Sequence, residues 1–470
     1  MTDLVGREEE FELLLRRWSK AKTGEGQVVL LSGEAGIGKS RLTAALRDHL
    51  VGKPHTQLRY FCSPQHKDSP LYPIIGQMQH AAGLIHEDSP QTKLDKLDAM
   101  LAQTRTSTES AALFAEMLSL TNDGRYPALA LVPQQRRDKT LKALISQVEL
   151  LERDCPVVMI FEDAHWIDAT SLEALGRAVD RIATLRVLMI VTFRPEFEAP
   201  WIGRPYVTAI TINRLSKREI VDMIGRVVGN KLLPENLRQD IIERTDGIPL
   251  FVEEITKAVM EAESEGEARQ AVSVVPAPAL NVPATLHASL MARLDRLGSA
   301  KEVAQTGAAI GREFSHNLLA AVACKPEKEL GLSLDRLAAA GLLFRQGVPP
   351  HATYAFKHGL VRDAAYGTLL RSRRQELHRQ IVSVLQRGFA ELVISQPELL
   401  AHHCSEAGMI AEAIEYCLLA AQRATASSNN TEKIAHIARG ITLLEQLPSS
   451  EQRASDFRIR LTLAGAAFSW

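Results

Sequence analysis

Four residues near the start of the chain stand at offsets that could bind phosphate. Gly33, Gly38, Lys39 and Ser40 fit the spacing G-x-x-x-x-G-K-[ST] within the stretch GEAGIGKSRL. Glycines permit a loop that wraps an anion, and the N–H groups of that loop and of the following helix attract negative charge. A lysine here reaches the outer phosphates of a nucleotide, and the serine hydroxyl is a ligand for Mg²⁺. The stretch therefore predicts a phosphate-binding loop for ATP or ADP with Mg²⁺.

A second acidic element lies further along the chain. The apolar run VVMIF ends in Glu162 and Asp163, which places two carboxylates at the end of a predicted strand. Ligands of parallel sheets bind at the carboxyl ends of the strands, and carboxylates there hold the metal and position the attacking water. The commoner order puts aspartate first. The order found here leaves the division of the two roles open, and we expect slow hydrolysis.

The elements that must position these groups alternate between strands and helices. Helical patterns separate five runs with the composition of buried strands, which are VVLLS, QLRYFC, VVMIF, VLMIVTF and VTAITI in chain order. This alternation predicts an α/β domain whose parallel sheet is covered by helices on both faces.

The pattern changes after Arg214. Ser216 and Glu219 predict a capping box at the start of a helical segment, and a charged and then proline-rich stretch, ESEGEARQ to VVPAPALNVP, indicates a linker. Helices, a two-stranded hairpin in GLLFRQG and TYAFKH, and another helix then suggest a winged-helix-like domain. Ala- and Leu-rich helices at the end resemble a TPR-like repeat array. The predicted domains are residues 1–214, 215–275, 276–375 and 376–470.

Bulk composition narrows the classes of protein. The formal net charge is −1, and the five cysteines have no metal-like pair spacing. No apolar run approaches the roughly 18 to 20 residues that span a bilayer. We therefore expect a cytoplasmic protein with reduced thiols and no membrane contact. The basic stretch RSRRQELHR is typical of a solvated helix face, so a nucleic-acid partner is not expected.

Five motifs occur together in one order. They are LVGREEE, GEAGIGKSRL, EDAHWID, TFRPEF and GIPLFVEE. As a set they resemble the signal-transducing P-loop ATPases called STAND ATPases, which are AAA-like and Orc1-like. The resemblance is to the ATPase region attached to class III adenylate/guanylate cyclases and to large ATP-binding LuxR-type regulators. It implies a sheet with strand order 5-1-4-3-2, followed by a helical lid, a winged helix and a TPR-like tail.

The same resemblance implies further site residues. The Val5–Arg7 segment is expected near the adenine, and Arg194 would sense the γ-phosphate. Pro249 would pack on the base from the lid, and His358 would contact the β-phosphate in an ADP-bound closed form. Each feature has an ordinary structural alternative. The Val5–Arg7 segment could be a helix start, Arg194 a member of a surface ion pair, Pro249 part of a helix stop, and His358 a cap or core residue. The full nucleotide-binding set is Val5, Gly6, Arg7, Gly33, Glu34, Ala35, Gly36, Ile37, Gly38, Lys39, Ser40, Arg41, Pro249 and His358. The catalytic set is Glu162, Asp163 and Arg194, and the metal set is Ser40, Glu162 and Asp163.

These features together predict an ATP-binding signal-transduction switch with slow Mg²⁺-dependent hydrolysis. Its helical tail would bind a protein partner, and its output would be a domain or partner such as a nucleotide cyclase. Cyclase-type relatives carry their catalytic domain upstream, so we expect a split gene product, a fragment or a partner that acts in trans. Two alternatives stay open: a non-hydrolysing ATP-binding scaffold, and an ATP-dependent transcription regulator without its DNA-binding module.

Overall fold

The computed structural model of the chain describes residues 4–229, 233–264, 284–447 and 452–466. The chain forms two compact units. The sheet unit comprises Leu14–Leu31, Leu50–Ile210 and His378–Trp470. The loop unit comprises Met1–Leu13, Ser32–His49 and Thr211–Leu377.

A five-stranded sheet forms the centre of the α/β region. Its strands are β1 (Gln27–Ser32), β2 (Thr56–Phe61), β3 (Val157–Glu162), β4 (Val187–Phe193) and β5 (Val207–Thr211). The order across the sheet is β2-β3-β4-β1-β5, which is the predicted order 5-1-4-3-2 counted from the other edge. Both β2–β3 and β3–β4 are parallel pairs. The predicted fold class is confirmed.

Burial along the strands explains why the sequence predicted the strands from their apolar runs. Every residue of β3 and β4 is buried, whereas the edge strands β2 and β5 include exposed residues. Central strands that are covered on both faces need continuous apolar sequence, and edge strands do not.

The helices that accompany the sheet in sequence are α1 (Glu8–Lys22), α2 (Lys39–Leu50), α3 (Tyr72–Ala82), α4 (Pro90–Ala102), α5 (Thr108–Met117), α6 (Pro133–Asp154) and α7 (Ala169–Ile182). The sequence analysis found no elements where α3, α4 and α5 lie. Two of them nevertheless carry serine caps, because Ser89 accepts a hydrogen bond from the amide of Thr92 and Ser107 from the amide of Ser110.

The loop unit continues with helices. They are α8 (Lys217–Val228), α9 (Glu235–Thr245), α10 (Pro249–Ser264), α11 (Ala284–Arg296), α12 (Ser299–Ile310), α13 (His316–Ala323), α14 (Glu327–Ala339) and α15 (Gly359–Gly367). The predicted capping box of Ser216 and Glu219 is present at the start of α8. The predicted linker falls mainly on residues 265–283, which lie outside the described residues.

The hairpin of the winged-helix-like region needs a correction. The expected strands are present as β7 (Leu343–Gln346) and β8 (Thr353–Phe356), but a third strand, β6 (Glu313–Ser315), pairs with β8. The helices that were expected before the hairpin are therefore interrupted by a short strand. A strand of three residues is too short to show a period of two in the sequence.

The C-terminal part of the chain is helical, as predicted. Its helices are α16 (Arg371–Gly388), α17 (Ala390–Ser395), α18 (Pro397–Glu406), α19 (Ile410–Ala426), α20 (Asn430–Leu444) and α21 (Gln452–Ala466). From α18 onward each packs against the next around a shared apolar cluster. A Cβ on Gly440 would lie 2.7 Å from Leu461 Cδ2, so the glycine permits the close approach of α20 and α21. The predicted domain boundaries stay predictions. Within the described residues no helix is long and apolar enough to cross a membrane.

Candidate functional site

The glycine-rich loop connects the end of β1 at Ser32 to the start of α2 at Lys39. Gly36 has a φ of +79° and Gly38 a φ of +107°, which are left-handed conformations that side-chain-bearing residues rarely adopt. The helix that follows begins with Lys39 and Ser40, and its first turn contains no acidic residue. The local backbone therefore provides the amide-lined turn and the positive helix end that favour an anion.

The side chain of Lys39 lies against this loop and is buried. Its Nζ donates hydrogen bonds to the carbonyl oxygens of Gly33, at 2.6 Å, and Glu34, at 2.8 Å. The loop backbone holds this ammonium group where phosphate oxygens can replace the carbonyl oxygens as acceptors. The resulting charge-assisted hydrogen bonds would be stronger than those to the carbonyls.

The Val5–Arg7 segment is fastened to the loop and to α8 within the same unit. The guanidinium of Arg7 is buried and donates to the carbonyl oxygen of Ile37, at 3.4 Å, and to that of Asn213. Gly6 has a φ of +63°, and a Cβ there would lie 2.3 Å from Glu219 Oε1, so a side chain would strain the backbone and displace the capping-box glutamate. Val5 belongs to the apolar cluster of α8, α9 and α10.

The start of α10 packs directly on the loop. The amide of Leu250 donates to the carbonyl oxygen of Gly36 at 3.2 Å, and a Cβ on Gly36 would lie 3.1 Å from Leu250 Cβ. Pro249 is the first residue of this helix. Arg214 also links the loop to this region, because it pairs with Glu34 at 3.0 Å and with Asp246.

The helix α10 continues from the loop to the winged-helix-like region. Glu253 of α10 accepts hydrogen bonds from Lys257 and from Lys357, the latter at 2.8 Å. Burial acts to raise the pKa of Glu253, but the two lysines outweigh it and lower that pKa to about 2. Lys357 immediately precedes His358 in the chain. The structure therefore connects Gly36 to His358 through Leu250, Glu253 and Lys357.

His358 precedes the first residue of α15 and has an extended backbone, with no side-chain capping hydrogen bond. Burial of the ring, assisted by the positive charges of Lys357 and Arg312, lowers its pKa to about 4, although Glu253 opposes the shift. The imidazole is therefore neutral at pH 7, which leaves one ring N–H as a donor and one ring nitrogen as an acceptor.

The two strand-end carboxylates have different surroundings in the sheet unit. Glu162 is 3% exposed, and Arg59 of β2 donates to its Oε1 at 2.6 Å. Asp163 is partly exposed and has a left-handed backbone with a φ of +58°. Its amide donates to the buried Thr192 Oγ1 at 3.1 Å. A non-glycine residue in this conformation is held there by its surroundings, and such outliers cluster at functional sites.

The remaining predicted residues occupy ordinary positions at the ends of elements. Arg194 follows the last residue of β4 and is partly exposed. Arg41 lies in the first turn of α2 and forms a 3.7 Å ion pair with Asp48. Ser40 precedes it, and its carbonyl oxygen accepts from Thr43 Oγ1 at 3.0 Å. Ala35 lies in the turn of the loop.

The residue types of the site suit Mg²⁺ that is shared with a bound nucleotide. The described residues contain no group of three or more His, Cys, Asp or Glu that could hold a metal ion. Mg²⁺ in phosphate sites commonly takes one or two carboxylates together with substrate phosphates and water. Ser40 and the strand-end acids are of that type.

Several residues of these sites were missed by the sequence analysis. These residues form ion pairs with partners that are distant in sequence, so no local spacing in the sequence predicts them. They are Arg59, Arg214, Glu253 and Lys357. The one readable signal was GIPLFVEE, in which a charged pair follows the apolar start of α10.

Comparisons with known proteins agree with this geometry. Residues 3–191 match the AAA ATPase domain family. The chain is 28% identical to the uncharacterized protein R02095 of Rhizobium meliloti (strain 1021), over 98% of this chain and 45% of that protein. It is 20% identical to adenylate cyclase type 10 of Oryctolagus cuniculus, over 54% of this chain and 16% of that protein. The chain thus spans less than half the length of both curated relatives.

Solved structures are more distant. A signal transduction ATPase with numerous domains (STAND) from Pyrococcus horikoshii, with a tetratricopeptide repeat sensor, aligns with a TM-score of 0.46 and 13% identity. That alignment covers 99% of this chain and 65% of the other. Thermotoga maritima RuvB aligns with a TM-score of 0.33 and 15% identity, over 78% of this chain and 96% of the other.

The sheet order and the glycine-rich loop are those of a P-loop NTPase fold, and residues 3–191 are similar to the AAA ATPase domain family. The predicted P-loop ATPase domain agrees with this match over residues 3–191. The resemblance to STAND ATPases stays a prediction.

Proposed function

We propose that this protein is a nucleotide-dependent switch that binds ATP or ADP with Mg²⁺ at the glycine-rich loop and hydrolyses ATP slowly. The observation that carries the proposal is the series of contacts from Gly36 through Leu250 and Glu253 to Lys357. Because the loop touches the first turn of α10, a change at the phosphates shifts a helix that is ion-paired to the winged-helix-like region.

The proposed roles follow the types of the residues. The loop amides and Lys39 would bind the β- and γ-phosphates, and Ser40 would give its hydroxyl to Mg²⁺. The Val5–Arg7 segment and Pro249 would form the adenine side of the site. Bound Mg²⁺ would neutralise developing phosphate charge, while Arg194 would sense the γ-phosphate.

Glu162 and Asp163 are proposed to have different roles in hydrolysis. Glu162 is already paired with Arg59, so we propose that it acts mainly by holding its end of β3 in place and assisting the metal side. Asp163 is more exposed and would position the attacking water.

Hydrolysis measurements with matched variants test this function. We expect slow, Mg²⁺-dependent turnover by the wild type. Asp163→Asn and Glu162→Gln should lower turnover by tenfold or more while changing ATP affinity much less, because they spare the phosphate contacts. Rapid turnover by the isolated protein, or equal losses in affinity and turnover, would contradict the proposal.

A non-hydrolysing ATP-binding scaffold is the second candidate. It is favoured by the Glu–Asp order and by the ion pair that occupies Glu162. The scaffold would be identified if the wild type binds ATP but its Mg²⁺-dependent turnover is no higher than that of Asp163→Asn.

The output is proposed to lie in a protein partner that contacts the helical tail. One curated relative is an adenylate cyclase, so a nucleotide cyclase acting in trans is the first partner to test. Cyclase activity that changes with the nucleotide bound to this protein would support this partner, and the same activity with ATP, ADP or no nucleotide would exclude it.

A further inference from the structure

The sheet unit contains a cavity that the proposed nucleotide site does not use. It has a volume of about 410 Å³ and lies among β2, β3, α3, α4, α6 and α7. The cavity is partly open to solvent. A volume above roughly 300 Å³ is in the range of pockets for small molecules. The cavity therefore has the size of a small-molecule site.

Its walls are mainly apolar and include adaptable side chains. The sheet contributes Leu58, Met159 and Phe161, and the helices contribute residues such as Met78, Leu144 and Val148. Five of these six are less than 9% exposed. Methionine side chains fill irregular space and adjust to different ligands. Such walls favour a ligand with an apolar body.

The polar part of the lining includes one charged side chain, and that side chain is paired with a carboxylate outside the lining. Lys96 is the only charged side chain that lines the cavity, and its Nζ donates to Asp88 Oδ2 at 2.6 Å and to the carbonyl oxygen of Gly83 at 2.9 Å. The other polar groups include the neutral amides of Gln57, Gln77 and Gln103. Burying an ionised group without a counter-charge is expensive, whereas a hydroxyl or amide can be hydrogen bonded by such side chains.

We propose that this cavity is a binding site for a small uncharged molecule with an apolar body and one hydrogen-bonding end. A ligand there would contact Met159 and Phe161, which belong to the strand that ends in Glu162. A consequence, which rests on the proposed switch function, is that the ligand alters ATP turnover. Binding itself does not depend on that function, so the two can fail separately.

Calorimetry with two probes of equal chain length tests the chemistry of the ligand. The full chain should bind 1-octanol saturably at one site, and octanoate at least tenfold more weakly, because the carboxylate would be desolvated beside a lysine that is already paired. Absence of saturable 1-octanol binding would overturn the proposal, and so would octanoate binding as tightly as the alcohol.

A cavity-filling variant tests the location. Ala178 lines the cavity from α7, so Ala178→Leu should lower 1-octanol affinity at least tenfold and leave the melting temperature unchanged or raised. Ala112 is an equally buried alanine in α5 outside the lining, and Ala112→Leu should keep 1-octanol binding but lower the melting temperature by at least about 2 °C through overpacking. If folded Ala178→Leu keeps 1-octanol binding at any melting temperature, the ligand does not occupy this cavity and the proposal is wrong.

Discussion

The carboxylate of Glu432 accepts one hydrogen bond from the backbone amide of Thr170, at 2.8 Å, and another from the Thr170 hydroxyl, at 2.6 Å. Both residues lie in the sheet unit and both are buried. Thr170 is the second residue of α7, where backbone amides have no partner within the helix. The C-terminal helices are therefore joined to the first turn of the helix that follows Asp163.

Removal of this carboxylate should destabilise the sheet unit. Glu432→Ala leaves a buried amide and hydroxyl without their acceptor, at a cost of about 2–3 kcal/mol in the free energy of unfolding. Glu432→Gln keeps an acceptor and should cost less. Urea denaturation provides the measurement, and the exposed Glu445, which caps the end of the helix that contains Glu432, gives the control Glu445→Ala. Equal midpoints for Glu432→Ala and Glu445→Ala would show that the contact contributes nothing.

A pH dependence is expected from Asp168, the capping residue of α7. Burial, with a smaller contribution from the charge of Glu432, raises the pKa of Asp168 to about 7. Between pH 4 and pH 7 the folded protein holds this proton and the unfolded chain releases it. Stability due to this group is therefore lost as the pH rises through about 7.

Asp168→Asn removes this titration and keeps a capping side chain. The free energy of unfolding of the variant relative to the wild type should increase by about 2 kcal/mol between pH 5 and pH 8, as measured by urea denaturation at both values. A difference that is constant across this range would contradict the assignment of the proton to Asp168.

The sequence predicted the parts of the fold that depend on local pattern. Continuous apolar runs marked β3 and β4 because both faces of these strands are covered. The capping box of Ser216 was readable because its two residues are three positions apart. By contrast, α3 to α5 mix apolar residues with Ser, Gln and His, and β6 is too short to show a period.

In the candidate site, too, the sequence predicted the residues that belong to a local pattern and missed those that depend on distant partners. The loop from Gly33 to Ser40 could be predicted because phosphate binding there depends on adjacent backbone amides and one side chain, which lie close together in the sequence. The partners of Glu162 and Glu253 were not, since Arg59 and Lys357 are about a hundred residues away from them in sequence, with separations of 103 and 104. Ion pairs between residues so far apart in the chain produce no local sequence pattern from which they could be predicted.

His358 should distinguish the two nucleotides. We propose that its neutral ring donates to a β-phosphate oxygen only in the closed ADP form, and a ligand shifts an equilibrium only through such differential contacts. His358→Ala should weaken ADP binding roughly tenfold to a hundredfold, on the scale of about 1.5–3 kcal/mol for a charge-assisted hydrogen bond, and leave ATP binding nearly unchanged.

The measurement is calorimetry with ADP and ATP on the same preparations, with small-angle scattering of both nucleotide states. His351 is exposed in the same hairpin and supplies the control His351→Ala, which should change neither affinity. Equal losses for both nucleotides in His358→Ala, or none for either, would make His358 an ordinary structural histidine.

The central claim is that the loop from Gly33 to Ser40 binds the phosphates of ATP, and Lys39 tests it most directly. Lys39→Ala removes the ammonium that now donates to the carbonyl oxygens of Gly33 and Glu34. Calorimetric titration with ATP and Mg²⁺ should show affinity falling at least tenfold, about 1.4 kcal/mol or more. The exposed Lys53 gives the control Lys53→Ala, which should bind as the wild type does. Unchanged ATP affinity in folded Lys39→Ala protein, with circular dichroism and melting temperature like those of the wild type, would contradict the account.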